Sequence, residues 1–287
     1  MTAVFKKEIR TYYTSMTGYI FLGFLVFISA LYFGIINVRG HYANYAHVLS
    51  GTTIVFLIII PTITMRLFSE ETRQKTDQLL FTAPVSVFRI VIGKYLAALT
   101  LFLTGMAVTL LFPLALSRFG EIPVSQIAGA YIGYILLGAC FIAVGLFVSV
   151  LTDSQVIAAI GTFGALFIFY LLDGLTANMP TDRVTSLVFV ILCIVGIAYL
   201  VYNGTNNIYA GIVTALVCLT GSALALLWNN YIFDGAIIKV MSWFSLLKRF
   251  DNFTVGVLAA SDVIYYITFS LVFIFLTKYT VEKRRWS

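Results

Sequence analysis

The sequence is poor in charge. Only 10% of its 287 residues are Asp, Glu, Lys or Arg, against roughly 25% in an ordinary soluble domain. A water-facing surface cannot be built from so few charges, so a soluble globule is excluded. Histidine is almost absent. His41 and His47 fall in one short loop with no cysteine or carboxylate beside them, which reads as a solvated loop rather than a metal site. The three cysteines, Cys140, Cys193 and Cys218, each lie inside an apolar run and read as small core residues, with no disulfide expected. Catalytic constellations are missing too. Gly93–Lys94 is followed by Tyr95 and lacks the earlier glycine of a P-loop, so the chain has no such site for ATP. There is no His-Glu-x-x-His zinc motif. Gly221–Ser222 sits in an apolar run, but no histidine occurs in any predicted span to activate the serine. We therefore expect no enzyme activity, bound metal or cofactor in this chain.

What is present is apolar sequence, 61% of the chain. It comes in continuous membrane-length runs rather than the ten-residue alternating segments of a barrel, which predicts an all-α, polytopic helical membrane protein. Eight spans are expected, at about Gly18–Val38, Gly51–Phe68, Ile90–Leu116, Gln126–Leu151, Gln155–Leu172, Thr185–Val201, Asn207–Trp228 and Asp262–Tyr279. Pro113 should bend the far end of the third. The sixth and seventh form a tight hairpin around Asn203–Gly204–Thr205–Asn206. The first apolar run is too long for a cleaved signal peptide.

Residues 1–15 place Phe5, Ile9, Tyr12 and Tyr13 on one side of a helix and Lys6, Lys7 and Arg10 elsewhere, the pattern of an amphipathic interfacial helix. Residues 229–261 repeat that pattern, with Ile237, Ile238, Met241, Phe244 and Leu247–Phe250 at spacings of three and four. Gly129 and Gly133 form a Gly-x-x-x-Gly pair that serves either packing within the chain or a dimer seam.

Eight spans put both termini on one side. That side carries 12 basic residues and the other carries 6, so the positive-inside rule puts the termini, and the polar stretch Ser69–Tyr95, in the cytosol. The 229–261 stretch is then extracytoplasmic. Placed near span ends, the basic residues account for the net charge of +6 and call for no nucleic-acid partner. The spans hold almost no central charge, and the third and fourth carry no acid, which weakens a self-contained ion-coupled carrier and points to an outside energy source.

Within the polar stretch, Glu70–Glu71 continue the second span as an acidic turn. Pro84 disfavours helix at Ala83, and a new helix starts near Ser86 and runs through Arg89 and Lys94. Leu79-Leu80-Phe81 supplies an apolar face that can meet another protein.

These residues carry a family resemblance. Glu70-Glu71-x-Arg73, Thr76, Leu79-Leu80, Ala83-Pro84-Val85-Ser86 and Gly93-Lys94 resemble the connector of type-2 ABC exporter permeases. Arg249-Phe250-Asp251-Asn252-Phe253, Gly256, Asp262-Val263-Ile264-Tyr265-Tyr266 and Glu282-Lys283-Arg284-Arg285-Trp286 resemble the gliding-motility-type branch of that family, and Phe5-Lys6-Lys7-Glu8 with Gly18-Tyr19-Ile20 fits its opening pattern. The usual core has six spans, so Thr185–Trp228 looks like an inserted hairpin. Lys75-Thr76 stands where Gly-Thr is more usual.

The resemblance implies a permease in a bacterial plasma membrane that pairs with a second permease chain, as homodimer or heterodimer. A cytosolic ATPase holds the ATP and Mg. Contact or coupling residues are then Glu70, Glu71, Arg73, Thr76, Leu79, Leu80 and Pro84 in the 69–89 connector, with Phe5, Lys6, Glu8 and Ile9 docking the ATPase from the N-terminal helix. The work done is export of an amphipathic substrate through the dimer interface, or transmission of ATPase motion to an extracytoplasmic partner. An accessory subunit could meet the hairpin. A secondary carrier or channel and a non-transporting scaffold are the alternatives.

Overall fold

The computed structural model describes residues 2–76, 86–178, 188, 191–192, 194–196, 198–199, 201–203, 209, 212–220 and 236–286. Most of them are helical, and no strand occurs among them. Six helical segments are long and apolar enough to cross a membrane: Met16–Arg39, Ala46–Arg73, Val87–Leu116, Val124–Leu151, Gln155–Leu175 and Ala260–Arg284. The predicted hairpin Thr185–Trp228 lies largely outside the described residues.

Helix α1 (Thr2–Thr14) ends at Ser15, whose extended backbone (φ −99°, ψ 150°) starts α2 (Met16–Phe33) in a new direction. The turn is tight. A Cβ at Gly18 would collide with the Tyr12 carbonyl oxygen, so a residue without one is needed there. A π-helical turn, Gly34–Arg39, finishes the first span.

The second span starts earlier than the residue pattern predicts. Asn44 Oδ1 accepts the Ala46 N–H at 2.9 Å, a local side-chain cap, and α3 (Ala46–Thr52) follows. His47 therefore belongs to the first turn of a helix, not to a loop with His41. After a 3-10 turn at Thr53–Val55, α4 (Phe56–Thr64) continues to α5 (Ser69–Arg73), the acidic turn.

The third span begins at Val87, with Ser86 extended before it, as α6 (Val87–Thr109). It is interrupted at Leu110 and resumes as α7 (Leu111–Leu116). Pro113 lies four residues after Thr109 and has no N–H to offer its carbonyl, which accounts for the break. Helix α8 (Val124–Leu151) is the most enclosed of the six spans, the position expected of a helix apolar on all sides. Helix α9 (Gln155–Asn178) follows a short turn.

The described part of the predicted amphipathic stretch holds two helices, α10 (Ala236–Phe244) and α11 (Leu246–Thr254), separated at Ser245. Helix α12 (Ala260–Trp286) closes the described chain.

The chain divides into two compact units, Met1–Tyr170 with Leu246–Ser287, and Leu171–Ser245. In the second, Ser245 Oγ donates to Asp173 Oδ1 at 3.0 Å. The core of the first holds a cluster of aromatic rings. Phe56 packs on Phe102, Tyr134 and Phe141, and Tyr134 meets Phe250 edge-on. Such ring pairs contribute beyond the area they bury.

Candidate functional site: a buried ion cluster behind the connector

Three segments that are far apart in sequence meet at one end of the first unit. They are α1, the end of the second span at α4–α5, and the first two turns of α6. Apolar packing brings them together. Tyr12 on α1 is buried, and its hydroxyl donates to the Ile63 carbonyl of α4 at 2.7 Å. Tyr13 reaches α6 through Thr104 Oγ1 at 3.1 Å. Tyr12 lies outside the predicted spans, and burial raises its phenol well above the usual tyrosine range.

Lys94 occupies the centre of this junction with 1% of its surface exposed. Its Nζ donates to Glu8 Oε1 at 2.9 Å and to the Leu67 carbonyl. The same Nζ lies 2.9 Å from Glu71 Oε2. Phe68 contributes a ring face 5.0 Å away. One ammonium therefore binds α1, the α4–α5 link and α6 together.

Glu71 Oε1 also accepts from Lys7 Nζ at 2.8 Å. Partial burial pulls the Lys7 ammonium down, but the hydrogen bond and charge of Glu71, backed by Glu8 and Glu70, outweigh it and hold the group above the ordinary lysine value. Two cations and two carboxylates thus balance. That balance is what a low-dielectric site requires, because an unpaired buried charge is far more costly than a paired one. Beside them, Arg66 Nε donates to Glu70 Oε2 at 2.8 Å and an Arg66 amino group donates to Thr17 Oγ1 at 2.7 Å, which ties in the start of α2.

Glu8 and Glu71 are buried and face Lys94, and Glu70 is held by Arg66. Arg73 and Lys6 are exposed, while Phe5 and Ile9 are half-buried and pack on the core. Thr76 closes the α5 turn, its N–H donating to the Glu71 carbonyl at 3.0 Å. Leu79, Leu80 and Pro84 lie outside the described residues. Gly129 and Gly133 are not at this end of the unit. They face α11, where an added Cβ would stand 2.7 Å from the Phe253 carbonyl oxygen and 2.7 Å from the Phe253 side chain, respectively.

Lys94, Arg66 and Tyr12 were not singled out by the residue pattern as site residues. Lys94 did carry a signal: it is a charge inside an apolar run, and such a residue needs a partner.

The comparisons with known proteins can be set against this geometry. The family described as ABC-2 family transporter protein matches residues 5–228, more than three quarters of the chain. The chain belongs to the ABC-2 transporter family. No curated protein and no solved structure matches it. This ABC-2 protein is an ABC transporter permease, a transport component and a multi-pass membrane protein of the kind found in the bacterial plasma membrane. The family match takes in most of α1, the connector and α6, so all four charges of the cluster fall within it.

Proposed function

We propose that this ABC-2 permease is driven by a separate cytosolic ATPase that docks on the 69–89 connector and beside α1. ATP and Mg are bound by that partner. A second permease chain, identical or related, completes the transporter. The observation that carries this reading is Lys94, a single buried cation joining the connector's first turn to α1 and to the third span. When the ATPase moves the connector, Glu71 moves with it, and the ion cluster obliges α1 and α6 to follow.

In this account the ATPase meets the exposed Arg73 and Lys6 and also contacts Leu79, Leu80 and Pro84. Glu8, Glu71 and Glu70 act behind them as coupling residues, and Phe5 and Ile9 hold α1 in place. Both termini lie in the cytosol. The turn at Asp153 and the last helix are on one side, as the 3.4 Å contact between Arg284 and Asp153 supports. Eight spans arise from a six-span core plus the 185–228 hairpin. The transported species is amphipathic, or the motion itself is passed to an extracytoplasmic partner in the manner of the gliding-motility-type branch.

Co-purification of the chain with the products of neighbouring genes tests this. A soluble P-loop ATPase is expected in the complex, and Leu80→Asp should uncouple its hydrolysis from the permease. Transport by the isolated chain without any ATPase would overturn the reading.

A further inference from the structure

The outer face of α1 has its own chemistry. Lys6, Arg10 and Thr14 recur every four residues and so form one stripe, each about 6 Å further along the helix. With Lys7 and Thr11 they line an open groove of about 480 Å³. Among the described residues, the carboxylates nearest α1 are engaged: Glu8 with Lys94, Glu71 with Lys94 and Lys7, and Glu70 with Arg66. Among the described residues no carboxylate pairs with Lys6 or Arg10. The hydroxyls of Thr11 and Thr14 donate to the Lys7 and Arg10 carbonyls at 2.9 and 2.7 Å, so the groove's free donors are cationic.

The stripe ends two residues before the first candidate span, which opens at Met16. One residue past Thr14 the chain turns into the first span, whose opening residues Met16, Tyr19 and Ile20 are exposed and apolar. Cations followed directly by lipid-facing apolar side chains match one kind of ligand in both halves: a charged headgroup and its acyl chains.

We propose that Lys6 and Arg10 form a binding site for the headgroup of an anionic phospholipid, which fixes α1 at the membrane surface. The acyl chains of that lipid lie along Met16, Tyr19 and Ile20. The site shares Lys6 with the ATPase contact proposed above, and lipid retention measured on the chain without its ATPase separates the two. Each basic residue near an anionic surface contributes between about fivefold and sixfold to retention, so the pair contributes about 30-fold.

The full chain is reconstituted in nanodiscs of equal phosphatidylglycerol and phosphatidylcholine, and the lipid it retains is weighed by native mass spectrometry. The wild type should retain phosphatidylglycerol preferentially. The Lys6→Gln/Arg10→Gln double variant should lose that preference by more than tenfold, while Lys283→Gln should keep it. Excess inorganic phosphate should not displace the lipid. Three results would overturn the proposal: equal retention of phosphatidylglycerol by wild type and double variant, displacement by phosphate alone, or unchanged lipid with loss of the co-purifying ATPase. The last would make the stripe a protein contact. Both residues are exposed, so a circular-dichroism spectrum matching the wild type is expected, and it keeps a loss of lipid attributable to the groove.

Discussion

Substituting Lys94 by Met keeps an unbranched side chain, one atom shorter, and removes its charge. At an effective dielectric of about 20, each 2.9 Å contact with Glu8 and Glu71 is worth about 6 kcal/mol of gross attraction. Most of that is offset by the cost of bringing the ions out of water, so the pairs add little net stability. Removing only the cation is different. Two buried carboxylates would then face each other, and Lys7 alone, 60% exposed along its side chain, would remain to balance them. Breaking a buried ion pair in this way costs about 3–5 kcal/mol. The expected result is a melting transition lowered by roughly 10 °C in detergent, using about 2–4 °C per kcal/mol for a chain of this size class. The control is the triple variant Glu8→Gln, Glu71→Gln, Lys94→Met, which removes both signs together and should melt within a few degrees of wild type. A Lys94→Met protein as stable as wild type would refute the claim that this charge is buried and shared by two carboxylates.

At the other end of the first unit, Asp262 accepts from Arg249 and from the Asn252 amide, both at 2.8 Å, and Arg249 lies 3.9 Å over the Tyr265 ring. Asp262→Ala should cost about 2–3 kcal/mol and loosen α11 from the start of α12, read as faster hydrogen exchange at Leu247–Phe253; unchanged exchange would count against it. The Lys7–Glu71 contact carries a pH signature. Because the folded state raises the Lys7 value, its contribution is fully present below about pH 10.5 and is lost only as the pH rises through that raised value. The stability difference between wild type and Lys7→Met should therefore stay flat across the neutral range, and a difference that vanished near neutrality would contradict the pairing.

Much of the fold is legible in the residues because lipid imposes a simple rule: long uncharged runs must be helices. The starts near Ser86 and Gln155 follow from local signals, a proline break and a short polar turn. The start of the second span does not. His47 and Ser50 look like loop residues by polarity, and the cap that begins the helix is the Asn44 side chain reaching Ala46, a signal two residues further back.

The amphipathic face of α11 is visible as Leu247, Phe250 and Phe253, but its partner is not. Spacing alone cannot tell a bilayer surface from the shallow groove that Gly129 and Gly133 leave on α8. Lys94 was hidden for a related reason. Near a span end a lysine is read as reaching for water, and only the fold shows that α1 covers it and supplies Glu8 as a partner. The connector's acidic residues were legible as a group. Their division into inward pairs, Glu71 with Lys94 and Glu70 with Arg66, is a tertiary fact.

The central claim is that the Lys94 cluster passes ATPase motion from the connector to the spans. The charge-neutral triple variant, assembled with its ATPase, tests it directly. The measurement is the change in hydrogen-exchange protection of α1, α4 and α6 when ATP is added. The account predicts a clear change in wild type. In the variant it predicts a complex that assembles and binds ATP, with no change in those three helices. The same ATP-driven response in both proteins would contradict it.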